Sequence, residues 1–311
     1  MNNKKVLVFG GNKFVGLHLI DELVQRFKAQ NIFSLTRSGQ ISKVNSLLAD
    51  RHDEQSLKQA LEKHEFDLVF DLSAYQLEDL EPSFNLLKNR VQTWVLMSSA
   101  GVYAKSNIFP LQINFSTINE KPHIGKLQCE QFLRSQSIQS FCLRPFYIYG
   151  PHNSFDRETF FFRALEAEQT ILLPNDGSAL LQFASAGEIA RLMVELALLP
   201  AIQTQKGIFN IGDKNLYSLN SLIQTCAEII GKKAKIEYFS PSLTLPARDI
   251  FPLRAEHYFG DLSELHNLGL QTQVELSKGL EQTYKWFKEN RYLYPKHTIS
   301  PAGADYLQSK N

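Results

Sequence analysis

The feature that most constrains this chain is the segment Gly10-Gly11-Asn12-Lys13-Phe14-Val15-Gly16, because of what stands on either side of it. Before it, Lys5-Val6-Leu7-Val8-Phe9 is a short β-rich run of the kind found in strands buried on both faces. After it, Leu19, Ile20, Leu23, Val24 and Phe27 recur at helical spacing. A strand therefore has to turn sharply into a helix. Gly10 permits the tight turn and Gly16 lets helix and strand pack closely. Free N–H groups at the helix N-terminus, in the field of its dipole, face an anion such as a pyrophosphate.

The rest of the first half repeats the strand-then-helix order. Ile32–Leu35, Asp67–Phe70, Thr93–Met97 and Phe141–Leu143 read as buried strands, and Leu57, Ala60 and Leu61 as a helical face. This alternation predicts an α/β protein with a Rossmann-type doubly wound parallel sheet. The second half differs: helices over Phe160–Ala167, Gly187–Leu199, Ser218–Ile230 and Leu276–Phe287, an extended Thr170–Leu173, and a turn at Pro174-Asn175-Asp176-Gly177. The expected organisation is a dinucleotide-binding domain over 1–168 and a smaller C-terminal α/β substrate lobe over 169–295, some of whose segments return to the first domain. A loosely held tail over 296–311 completes it.

Composition excludes several classes. With 311 residues, 43% hydrophobic and 21% charged, the chain has the make-up of a soluble globular protein. Its apolar stretches, such as Leu192–Leu199, fall far short of the ~20 residues of a spanning helix, and no signal-peptide core follows the basic start, so a cytoplasmic protein away from membranes is expected. Cys129, Cys142 and Cys226 have no metal-ligand spacing and read as buried structural residues; no metal is expected. A net charge of +1 projects no strong field toward nucleic acid, so any RNA binding needs a local patch, for which Lys232-Lys233-Lys235 and Lys285, Lys288 and Arg291 are the candidates. Solvated helix faces explain the same clusters.

At the end of the second strand, where a ribose-binding carboxylate usually stands in such sites, this chain has Thr36 and Arg37. With Lys13 and Arg37 free to pair with a 2′-phosphate, NADP is favoured over NAD; solvated surface residues are the other reading. Asp50, in the Ala49-Asp50-Arg51 turn, is placed either to bond an adenine amino group or as an ordinary loop carboxylate.

GGNKFVG, DLSAYQLEDLEP, Met97-Ser98-Ser99-Ala100-Gly101-Val102-Tyr103, LRPFYIYGP at 143–151 and Phe209-Asn210-Ile211-Gly212 together resemble the extended and atypical short-chain dehydrogenase/reductase superfamily, in particular its NAD-dependent epimerase/dehydratase family. Lys13 among the glycines, SSAGVYAKS and FPLRAEHYFGD resemble a branch containing the chloroplast stem-loop-binding proteins, which are associated with RNA. The resemblance implies cofactor contacts from Gly10, Gly11, Asn12, Lys13, Phe14, Val15, Gly16, Thr36, Arg37, Asp50, Arg51, Leu72, Ser73, Ala74, Ser98, Lys126, Pro145 and Phe146. It implies substrate contacts from Tyr75, Ser99, Tyr103, Arg157, Gln182 and Arg254. Ser99 and Lys126 match the family's catalytic serine and lysine, but the tyrosine of YxxxK is replaced by Pro122, which can neither donate nor accept a proton. Tyr103 and His123, with Tyr75, are the conceivable substitutes. Two functions follow: a nucleotide-sugar epimerase/dehydratase-like protein whose oxidoreductive step is in question, or an RNA-binding or RNA-processing protein with the dinucleotide as structural or regulatory ligand. A homodimer through helices around Leu80–Leu87 and Lys126–Leu133 is also implied.

Overall fold

The structure, a computed structural model, describes residues 3–37, 39, 41–118, 123–200, 206–294 and 301–308. The chain divides into two units. The first comprises Met1–Phe146, Ala186–Ile211 and Gly260–Thr272, and the second Tyr147–Ser185, Gly212–Phe259 and Gln273–Asn311.

In the first unit the apolar runs become strands β1 (Val6–Phe9), β2 (Ile32–Thr36), β3 (Asn45–Leu48), β4 (Leu68–Asp71), β5 (Thr93–Met97) and β6 (Gln139–Pro145). The later strand β11 (Lys206–Ile211) joins them in one parallel sheet of order β11-β6-β5-β4-β1-β2-β3. Helices α1 (Val15–Arg26), α2 (Glu54–Leu61), α3 (Leu77–Leu87), α4 (Ile124–Ser135) and α6 (Ala186–Leu198) flank it, α1 packing on α6 and α3 on both α2 and α4. Strand side chains alternate between faces. Leu7, Phe9, Val69, Trp94, Leu96 and Cys142 join Leu57, Leu80, Phe84 and Leu133 in one core, while the intervening Val6, Val8, Phe70 and Val95 are equally buried. This is the doubly wound arrangement. Its strand order reverses between β1 and β4, the place where such sheets open a crevice at their carboxyl edge.

The second unit is built of small sheets. Parallel β7 (Tyr147–Tyr149) pairs with β10 (Phe183–Ser185), and parallel β8 (Thr170–Pro174) with β13 (Lys235–Phe239). Antiparallel β9 (Leu180–Leu181) pairs with β12 (Tyr217–Ser218). Helices α5 (Glu158–Glu166), α7 (Leu219–Ile230) and α10 (Leu276–Glu289) pack against one another. The remaining short helices are α8 (Ala247–Ile250) here and α9 (Ser263–His266) in the first unit.

Two expectations change. The division falls after Phe146, not after 168, because β6 and β7 are nearly continuous in sequence yet belong to different sheets. The tail is not wholly loose: α11 (Pro301–Gln308) lays Ala302, Tyr306 and Leu307 on a cluster of Leu172, Phe239 and Ile250. Residues 295–300 and 309–311 of that tail lie outside the described residues.

Candidate active site and dinucleotide loop

The Gly10–Gly16 loop leaves β1 at the point of strand reversal. Gly10 sits at φ +86°, and a Cβ placed on it would lie 3.2 Å from Ser73 Cβ, so the loops after β1 and β4 touch there. A Cβ on Gly16 would stand 2.0 Å from Gly10 O, and one on Gly11 2.6 Å from Ser34 Oγ. No side chain fits at either position. Phe14, at φ 41°, holds a left-handed conformation unusual for a non-glycine residue and precedes α1 without capping it. The first turn of α1 has no acidic residue, and among the described residues the N–H groups of Lys13 and Phe14 have no acceptor. A helix start left uncapped and positive is the cradle a pyrophosphate requires. Asn12 and Lys13 are exposed, Phe14 is half-buried and Val15 buried. Thr36 is buried at the end of β2, and Arg37 is exposed beyond it.

The Asp50-Arg51 pair takes two different roles. Asp50 is half-buried and accepts a hydrogen bond from His52 N at 3.0 Å. Arg51 is buried and committed. It makes a bidentate pair with Asp71 at 3.1 and 2.8 Å, donates to Ser73 Oγ at 2.8 Å, and lies over the Phe9 ring at 4.7 Å. Asp71 also accepts from Ser73 N and Ala74 N. Through its two terminal nitrogens Arg51 therefore fixes the Leu72-Ser73-Ala74 loop beneath Gly10.

Beyond β5, Ser99 caps a single turn at Ala100–Val102, its Oγ accepting from Gly101 N at 3.0 Å. Lys126, on the first turn of α4, is buried; its Nζ donates to Met97 O at 2.7 Å and lies 4.4 Å from the centre of the Tyr75 ring. Burial, partly opposed by Asp71, pulls its pKa down to about 8. The His123 ring packs on the same serine turn, since a Cβ on Gly101 would fall 2.5 Å from its Nε2. Pro122 lies outside the described residues.

Behind these groups runs a buried polar chain. Ser98 Oγ donates to Glu130, which pairs with Arg144 at 2.9 and 2.6 Å. The Arg144 guanidinium stands 4.8 Å from the Tyr103 ring, and Tyr103 OH donates to Asn210 Oδ1 at 2.7 Å. Asn210 Nδ2 in turn donates to Leu111 O and Asp261 O. Tyr103 is thus a buried packing residue with its hydroxyl spoken for, and burial raises its pKa. It is not placed as the missing proton donor. Ser98 likewise faces inward. Pro145 and Phe146 are buried, the Phe146 ring against Gly260.

In the second unit Arg157 and Arg254 gather around Tyr147. Arg157 lies 5.5 Å from the Tyr147 ring and 4.9 Å from that of exposed Phe155, while Arg254 N donates to Tyr147 OH and its guanidinium sits 4.3 Å from the Tyr258 ring. Arg248 adds a third charge: burial, reinforced by Arg248, lowers the pKa of Arg157. Among the described residues none of the three is ion-paired with a carboxylate. Gln182 is only 2% exposed and donates to Asp213 O at 2.8 Å.

The sequence profile of the NAD dependent epimerase/dehydratase family matches residues 84–212. The chloroplast stem-loop binding protein of 41 kDa b from Arabidopsis thaliana is 30% identical over 301 residues, covering 91% of this chain and 79% of that protein. The chain belongs to the NAD-dependent epimerase/dehydratase family. Solved structures agree in fold. A UDP-N-acetylglucosamine 4-epimerase from Methanobrevibacter ruminantium, in complex with UDP-N-acetylmuramic acid, superposes with a TM-score of 0.78 at 20% identity, over 93% of this chain and 100% of that one. The UDP-glucose 4-epimerase of Thermus thermophilus, in complex with NAD, gives 0.74 at 17% identity, over 91% and 99%.

Sequence reasoning gave no role to Asp71, Glu130, Asn210 or Arg248, all of which hold or charge the surroundings of these groups. Asp71 and Glu130 carried a signal in retrospect, since carboxylates within apolar strand or helix patterns need buried partners. The basic clusters prove partly neutralised: Lys232 pairs with Glu168, Lys285 with Glu281 and Arg291 with Glu166, while Lys288 lies over Tyr284. The exposed positions of α3 and α4 include Glu78, Glu81, Asn85, Gln128, Gln131 and Arg134. No helix among the described residues is long and apolar enough to cross a membrane.

Proposed function

We propose that the protein binds a nicotinamide dinucleotide on the Gly10–Gly16 loop and acts on a nucleotide-linked sugar. The observation that carries this is the uncapped, acid-free start of α1 behind glycines whose side-chain space is already filled by backbone. When bound, the dinucleotide supplies reversible hydride transfer. Lys126 has two N–H donors left beyond the one on Met97 O, enough to hold ribose hydroxyls. Ser99 Oγ retains its own proton for a substrate oxygen, because its bond to Gly101 N uses it as acceptor. In the second unit Arg157, Arg248 and Arg254, which among the described residues are not ion-paired with a carboxylate, offer the kind of charge that binds a diphosphate. Exposed Lys13 and Arg37 leave room for a 2′-phosphate and so favour NADP.

Calorimetric titration with NAD+, NADH, NADP+ and NADPH tests this reading. Micromolar or tighter binding of one pair is expected, and Lys13→Glu with Arg37→Asp should weaken the NADP pair far more than the NAD pair. Equal loss for both would remove the preference, and no binding of any would remove the reading.

The 30% identity to a stem-loop binding protein supports a second reading, binding of RNA hairpins. Partial neutralisation of the basic clusters weighs against it. Hairpin affinity that falls steeply between ~50 and ~200 mM salt would favour it.

A further inference from the structure

The serine and lysine of the candidate site have no phenol at position 122 to act with them. Tyr103 is buried on Asn210 and the His123 ring is packed on Gly101. A phenol does stand beside Lys126. Tyr75 is 66% exposed, and its ring centre lies 4.4 Å from Lys126 Nζ. Its backbone is held from two sides. Asp79 Oδ2 accepts from Tyr75 N at 2.7 Å and Gln76 N at 3.0 Å, and α4 approaches so closely at Gly125 that a Cβ there would be 2.3 Å from Tyr75 O. Tyr75 follows β4 by four residues, on the same carboxyl edge where the β4 loop meets Gly10. An exposed phenol is therefore held against the buried lysine at the edge of the dinucleotide loop.

We propose that Tyr75 is the proton-transfer residue of this site, acting with Lys126 in place of the phenol absent from position 122. This rests on the dinucleotide reading above. In the oxidative direction the substrate's carbinol O–H gives its proton to the Tyr75 phenolate oxygen. The electron pair of the carbinol C–H bond passes as hydride to the oxidised dinucleotide, C–O becomes C=O, and the phenol is left neutral. The reductive direction returns proton and hydride to the same two atoms. Lys126 Nζ, 4.4 Å from the ring centre, holds the phenol in place, and its own pKa of about 8 lets it exchange protons near neutrality.

The test uses the full chain. Tetranitromethane nitration, read by mass spectrometry, should modify Tyr75 in the free protein and modify it at least ~10-fold more slowly with saturating NAD+ or NADP+, whichever binds, while Tyr292, 80% exposed, reacts equally in both states. Tyr75→Phe should keep dinucleotide affinity within about twofold and lower dinucleotide reduction by UDP-glucose or UDP-glucuronate by about 10²–10⁴-fold. Dinucleotide binding with no protection of Tyr75, or Tyr75→Phe turning over like the parent, overturns the assignment and leaves the dinucleotide reading standing. Failure to bind any dinucleotide overturns both.

Discussion

Lys126 illustrates how one residue couples stability to function. Its amine is charged in the unfolded chain up to a pKa near the ordinary 10.5, but burial in the fold brings the value to about 8. Between those values the unfolded state binds more protons, so this group's penalty on the fold is complete below pH 8 and is relieved as pH rises toward 10.5. Lys126→Met is expected to be more stable than the parent at pH 7 by about 2 kcal/mol, the desolvation relief less one lost hydrogen bond. That advantage should shrink as pH rises from 8 to 10.5. Urea unfolding of both proteins across that range measures it, and a pH-independent difference would contradict the assignment. Arg51 gives the opposite lesson. The resemblance implied a cofactor contact for it, and in the fold its terminal nitrogens bond Asp71 and Ser73, tying it to the loop after β4.

At the scale of elements, α4 and β6 are joined by the Glu130–Arg144 pair, both partners within 2% of full burial. Burial works against the charge of Arg144, and its bonds to Glu130 more than offset that, holding it well above the ordinary arginine range. Removing one partner of such a pair leaves an uncompensated buried charge. Glu130→Ala is expected to destabilise the protein by about 3–5 kcal/mol, seen as a lower Tm, and to loosen the serine turn through the lost Ser98 bond. A change under about 1 kcal/mol would mean that the pair contributes little. β1, α1 and the turn between them were legible because strand run, glycines and helical face are consecutive. β3 was not: Asn45 and Ser46 are polar, and only its pairing with β2 at the sheet edge defines it.

For the whole molecule, the last helix closes part of the second unit. Deleting residues after Tyr294 uncovers Leu172, Phe239 and Ile250, and a loss of about 2 kcal/mol is expected from the apolar area exposed. Hydrogen exchange should speed up in β8 and β13 of that unit; unchanged protection there would show that α11 is dispensable. The sequence by itself determined the parallel α/β sheet and the glycine turn after β1, because each depends on neighbours close in the chain: periodicity and a glycine at a fixed turn. Only the tertiary structure decided which side chains are free. Tyr103, Gln182 and Arg51 are consumed by partners 20 to more than 100 residues away, whereas Tyr75 is brought against Lys126 by the packing of α4 on the segment that begins α3. Which partner a side chain meets is a property of the folded surface, and no local pattern encodes it.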